Sequence, residues 1–163
     1  PYVDQMFYLL GKTYDKLQTF VPIQDYQIDH YKNRFLKYIN PGFIKCVTDE
    51  NDELVAFAIT MPSFSNALKK INGKVDLIGK LRLLHAKNFN HKGSLYLIGV
   101  RPDFQNKGVI AILFNELQKF YNKFGITEVE TNPELIENTA IQQLWKNYEN
   151  NQHKNRATFT KEI

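Results

Sequence analysis

Apolar residues recur every three or four positions near the start of the chain. Phe7, Leu10, Tyr14, Leu17 and Val21 fall on one face of a predicted helix. Asp4 is placed to cap its start and Pro22 to end it. Ile28, Tyr31, Phe35 and Tyr38 predict a second helix, broken at Asn40-Pro41-Gly42. The period then shortens. Phe43–Thr48 and Leu54–Thr60 read as strands flanking the turn Asp49-Glu50-Asn51-Asp52, which makes a hairpin.

Residues 61–92 are less regular. Pro62 and Ser63 open a short predicted helix that runs to about Ile71, and Gly73 breaks it. Val75, Ile78, Leu81 and Leu84 then mark an amphipathic helix. Ser94–Val100 is apolar on both faces, as a central strand covered on both sides would be. Arg101-Pro102-Asp103 ends it. After Gly108 a long helix carries Ile110, Leu113, Leu117, Phe120 and Phe124, with Gly125 at its C-terminal cap. Ile126–Thr131 is a further strand. Asn138 is placed to cap a helix striped by Ile141, Leu144, Trp145 and Tyr148, and Arg156–Lys161 alternates toward a last strand. The order predicts an α/β (α+β) layer fold with a mixed sheet, in which 94–131 forms a β-α-β crossover.

Composition narrows the class. A length of 163 residues with 43% hydrophobic and 23% charged positions suits one globular domain. Twelve Phe and nine Tyr argue for a filled core or an apolar groove, and against disorder. The net charge of +4 fits an anionic ligand and is too diffuse to announce nucleic acid. The single cysteine excludes an intrachain disulfide and points to a reducing, cytoplasmic setting. The opening at Pro1 reads as a trimmed piece of a longer protein.

The stretch that carries chemistry is Gly99-Val100-Arg101-Pro102-Asp103-Phe104-Gln105-Asn106-Lys107-Gly108-Val109. A strand ends in a turn and a helix begins at a glycine. Amides at a helix start lack partners within the helix and carry partial positive charge, which suits a pyrophosphate. Gly108 lets the backbone approach such an anion without a Cβ in the way, and Lys107 adds charge.

LYLIGVRPDFQNKGV resembles the signature segment of the GNAT acyltransferases, V-x-P followed by Q/R-x-x-G-x-G/A. Val100, Pro102, Gln105, Lys107 and Gly108 match, whereas the last signature position is Ile110 in place of Gly or Ala. Its branched side chain either faces the phosphate or points into the sheet. NPELIENTAIQQLWKNY further resembles segments of longer bacterial GNAT-like proteins, a divergent branch of the superfamily. The resemblance implies a mostly antiparallel sheet flanked by helices in one domain, 1–163. It implies an acetyl-CoA or longer acyl-CoA substrate held by Ile98, Gly99, Val100, Gln105, Asn106, Lys107, Gly108, Val109 and Ile110, with Asn138 downstream. It also implies an amine acceptor that attacks the thioester directly. The family places N-x-x-A-x-x-x-Y on the next helix, and here Asn138 matches while Ile141 and Trp145 replace the Ala and the Tyr. The indole of Trp145 has no useful acid, so Tyr148, one turn on, is the substitute to protonate the departing thiolate, unless it is a core aromatic. Glu130 and Glu128 are the candidate bases, each with a solvated strand-end carboxylate as its plain alternative. The alternative for the whole chain is a GNAT fold that binds CoA or a protein partner without catalysis.

Elsewhere the residues read as structural. His30, His85, His91 and His153 show no metal-site spacing. Cys46 reads as a buried, inert thiol, and Ser63 and Ser65 as helix caps. Residues 61–92 read either as a lid whose Val75, Ile78, Leu81 and Leu84 cover an acyl chain, or as a hairpin packed on the sheet. The surrounding Lys69, Lys70, Lys74, Lys80, Arg82 and Lys87 form a solvated face, or one that meets a phosphate or a peripheral membrane surface.

Overall fold

A computed structural model describes residues 2–15, 21–34, 39–157, 159 and 161, and it divides the chain into two units, residues 1–130 and 131–163. In the first unit β1 (Ile44–Thr48) and β2 (Leu54–Pro62) form the expected hairpin. Asp49 makes its turn: its side chain accepts from the amides of Asn51 and Glu53 at 3.0 and 3.1 Å. β3 (Lys92–Val100) pairs antiparallel with β2, and β4 (Glu128–Thr131) follows in the order β1-β2-β3-β4.

The strand covered on both faces is β2, buried at eight of nine positions, not β3. β3 is only half-buried at Leu97 and Ile98 and exposed at Tyr96. The two strands are similarly apolar in sequence. What separates them is that helices cover β2 from both sides, while the far half of β3 looks onto an opening described below.

α1 (Val3–Tyr14) covers one sheet face through Met6, Leu9 and Leu10, which pack with Leu54, Phe57 and Ile59. Asp4 stands in its first turn and not at the cap, which is Tyr2. α2 (Asp25–Arg34) buries no residue, and Leu17, Phe35 and Tyr38 of the predicted stripes lie outside the described residues. α5 (Val109–Phe124) covers the opposite face through Val109, Leu113, Leu117 and Tyr121. The buried line is thus rotated from the predicted one, and Phe124 is exposed. Gly125 ends α5 in the left-handed region at φ 68°, and His91 Nδ1 lies 3.0 Å from its carbonyl.

Between β2 and β3 stand α3 (Ser65–Ile71) and α4 (Leu77–Asn88), packed on each other. Asp76 caps α4 by accepting from the Gly79 amide at 2.7 Å. α4 buries its small residues, Gly79 and Ala86, and turns Ile78, Leu81 and Leu84 to solvent. Of the two readings of residues 61–92 the packed helical hairpin is the one formed, because the small face of α4 allows the closest approach to the protein, and the stripe of Ile78, Leu81 and Leu84 faces solvent. In the second unit α6 (Thr139–Trp145) is the only helix among the described residues. Residues 151–157, 159 and 161 have no regular structure, so the last strand expected over 156–161 is not formed there.

Gly99 shows how tightly the sheet is filled. A Cβ on it would stand 2.7 Å from Cε1 of Phe57, a ring only 1% exposed. Gly99→Ala should therefore lower stability by about 1–3 kcal/mol, the usual range for overpacking. A urea-unfolding midpoint equal to the parent's would show that the Phe57 ring can move aside.

Candidate active site

The site begins with the two edges of β3. In an antiparallel pair, alternate residues exchange both backbone hydrogen bonds with the partner strand, and those between them turn N–H and C=O the other way. Arg101 N donates to Val55 O at 2.8 Å, and Gly99 pairs with Phe57 and Leu97 with Ile59. Leu97, Gly99 and Arg101 are thus committed to β2. Ile98 and Val100 turn their backbone groups to the opposite edge.

That edge is only partly covered. The amides of Thr127 and Glu128 reach His91 O at 2.8 and 3.2 Å, and Val129 lies against Gly93. β4 therefore starts where β3 starts. With four residues against nine, it ends near the middle of β3. The register shift between Ile59 and Thr60 leaves Tyr96 as an extra residue at this same place, a bulge that bends the strand. Beyond it the edge meets α1: the Tyr14 hydroxyl donates to Ile98 O at 3.1 Å, and the Thr13 hydroxyl to Val100 O at 3.3 Å. Thr13 and Tyr14 are site residues that the sequence reading missed. Tyr14 packs against the core as its stripe predicts, and nothing in its spacing marks the added edge contact.

β3 runs into a loop held by its own side chains. Gln105 Nε2 donates back to Val100 O at 3.4 Å. The Arg101 guanidinium bonds Asp103 at 2.9 Å, Asp49 at 3.2 Å and Glu53 at 3.3 Å, and stacks over Phe104 at 4.5 Å. Asp103 foremost, with Asp49, holds the guanidinium above its ordinary pKa against partial desolvation. Desolvation pushes Asp49 up, but the Glu53 and Asn51 amides and Arg101 outweigh it and hold the carboxyl below the usual range. The open depression beside this hub is lined by Thr48, Asp49, Glu50, Asn51 and Phe104, so its charge is the wrong sign for a phosphate.

The other end of the loop has the opposite character. Asn106 at φ 60° and Gly108 at φ 78° are both left-handed, and together they swing the chain into α5. No side chain caps α5, so the amides of its first turn point outward with the positive end of the helix dipole. A Cβ on Gly108 would meet nothing within 4 Å, so the approach is open. Lys107 is exposed beside it, its Nζ 5.3 Å from the Phe104 ring. Val109 is buried. Ile110 packs onto the cluster of Val55, Ala56, Val100 and Val109, so its side chain points into the sheet and away from the loop.

The remaining candidates are spread along the chain. Glu128 is exposed and paired with Lys92, a structural role. Glu130, two positions on, shares its face of β4 and is half-buried. In the second unit Asn138 occupies the N-terminal cap position of α6 without a side-chain capping bond. Trp145 Nε1 donates to Glu134 at 2.8 Å. α6 ends at Trp145, so Tyr148 lies past the helix; it is exposed, with its ring 6.3 Å from that of Trp145. Cys46 is half-buried on β1, where burial pushes its thiol up, away from a nucleophile's range. Among the described residues no three His, Cys, Asp or Glu side chains gather to hold a metal ion.

The model of the acetyltransferase (GNAT) family matches residues 11–148. The chain belongs to the GNAT acetyltransferase family. Among solved structures, this GNAT chain is similar to an aminoglycoside acetyltransferase, meta-AAC0020, from an uncultured soil metagenomic sample, in complex with sisomicin. The two share 12% identity at a TM-score of 0.59, over 100% of this chain and 89% of that one. It is also similar to AAC(6')-Iy in complex with the bisubstrate analog CoA-S-monomethyl-acetylneamine, at 14% identity and a TM-score of 0.59 over 99% and 92% of the two chains. A ribosomal-protein-alanine N-acetyltransferase from Brucella melitensis biovar Abortus 2308 aligns at 13% identity and a TM-score of 0.58, over 98% and 92%. At these identities the structures speak for the fold. No curated protein matches the chain.

The lowered Asp49 carboxyl gives a pH test of the hub. A folded-state pKa below the unfolded one contributes stability above the ordinary Asp range, and that contribution is lost as pH falls through the folded value. Asp49→Asn should be less stable than the parent at neutral pH, and the gap should close on acidification. A gap that persists unchanged into acid would show that the Asp49 charge does not hold the turn.

Proposed function

We propose that this GNAT domain transfers an acyl group from acetyl-CoA or a longer acyl-CoA to an amine. What supports this reading is that the backbone groups of Ile98 and Val100 turn away from β2, and that the start of α5 at Gly108 carries no side-chain cap. The edge offers backbone N–H groups to an extended amide chain, as a missing strand would, and the helix start offers amides to a pyrophosphate. Gln105 sets the loop between them. Lys107 adds the side-chain charge, because Arg101 is already engaged by carboxylates. The Ile110 side chain, turned into the sheet, leaves the approach clear.

In the reaction the acceptor nitrogen attacks the thioester carbonyl carbon, the oxygen gathers negative charge, and the C–S bond then breaks. Val100 is the strand-end residue whose N–H faces the open edge and would receive that oxygen. Gly99, turned toward β2, would not. Glu130 would take the proton from the amine, directly or through water, and Tyr148 would supply one to the thiolate. A second reading, CoA binding without turnover, is favoured by Trp145, whose indole stands in the place of the family's acid and is tied to Glu134.

Thiol release from a panel of acyl-CoAs and amines tests turnover. Glu130→Gln and Tyr148→Phe should each lower kcat by about 10²–10⁴-fold. CoA binding without any thiol release would favour the second reading. Gly108→Asp places a negative charge and a strained φ beside the pyrophosphate and should abolish CoA binding in calorimetry; undiminished binding would put the site elsewhere.

A further inference from the structure

We infer that α4 is an interfacial helix that docks this domain on an anionic lipid surface. The helix turns its larger apolar side chains away from the protein and its small ones toward it. At 3.6 residues per turn, Leu77, Ile78, Leu81 and Leu84 fall within one arc, opposite the buried Gly79 and Ala86. These four leucine and isoleucine side chains are 76%, 60%, 59% and 55% exposed. Phe89 extends the same surface past the C-terminal end, exposed and stacked on His85 at 5.3 Å between ring centroids. Scattered single exposed apolar residues need no explanation, whereas four on one arc of a rigid helix, shared there only with His85 and Asn88, mark a contact surface.

The charges say what kind of partner fits. Lys80 and Lys87 border the apolar arc on one side and Arg82 on the other. α4 carries no acidic residue between Leu77 and Asn88. An outward apolar stripe between two basic margins is the pattern of helices that lie in the headgroup region. There the apolar side chains enter the acyl boundary and the cations meet lipid phosphates. The Arg82 guanidinium donates to Lys70 O at 3.0 Å, which holds it along the margin of the helix. A second copy of this chain is the poorer partner. It would bring the same three cations against these three, with no carboxylate on the helix to answer them.

The test is co-sedimentation of the full chain with vesicles of phosphatidylcholine alone and of phosphatidylcholine mixed with phosphatidylglycerol. Binding is expected to the mixed vesicles, weakened by salt, and much less to the neutral ones. Leu81→Asp, on the exposed face, should cut the bound fraction by about tenfold with the thermal melt unchanged. Lys80→Glu combined with Lys87→Glu should remove the preference for anionic vesicles. Failure to bind either vesicle, equal binding to both, or indifference to Leu81→Asp would overturn the proposal. So would sedimentation velocity showing a dimer that Leu81→Asp dissociates, in a protein that leaves vesicles untouched.

Discussion

Every buried strand must find partners for two rows of backbone groups, and in this domain β3 has enough neighbours for about one and a half. β2 satisfies the row carried by Leu97, Gly99 and Arg101. β4 serves the other row only as far as the bulge at Tyr96. The carbonyls beyond are met by hydroxyls from α1 and by Gln105, which are single contacts and not a ladder. An incomplete sheet of this kind is costly to leave unpaired and so is held open by specific side chains. Among the described residues it is also an edge that an extended ligand could extend.

The rest of the architecture serves that opening. The buried β2 supplies the rigid floor, with Phe57 filling the space above Gly99 so that the strand end cannot shift. α5 packs through Val109 and Ile110 directly behind the loop, which fixes the helix start relative to the strand end. The Arg101 hub then ties the same loop to the β1–β2 turn. Strand end, loop and helix start are thereby tied to one another, the fixity that the proposed role of the backbone amides would need.

Much of this was legible in the sequence because glycine and proline mark it. Pro102, Gly108 and Gly125 bound the loop and α5 as expected, and the turn at Asp49 follows from its own side-chain chemistry. Other features carry no such signal. A bulge adds one residue to one strand, and neither Tyr96 nor its neighbours have a composition that reveals it. Apolar periodicity locates a stripe on a helix but not the side on which the protein lies. On α4 the close approach allowed by Gly79 and Ala86 decided the matter against Ile78, Leu81 and Leu84. Tyr14 belongs to an ordinary helical stripe and Thr13 stands beside it, and their edge contacts depend on a strand more than eighty positions away. Arg156–Lys161 alternates as a strand would, yet its described residues have no regular structure, because alternation alone does not bring a neighbouring strand.

The carboxylates around Arg101 also set how the loop feels the solvent. A guanidinium offered to a phosphate would make binding steeply dependent on ionic strength, since each such contact releases or screens mobile ions. Here that charge is neutralised inside the protein, and the groups turned outward are peptide dipoles with a single lysine. Dipoles fixed at a helix start are screened by dissolved salt as well, and they act only within the first turn. An anion at the proposed site would then owe its salt sensitivity to Lys107 and to the screened helix start, and not to the guanidinium of Arg101, which the carboxylates hold.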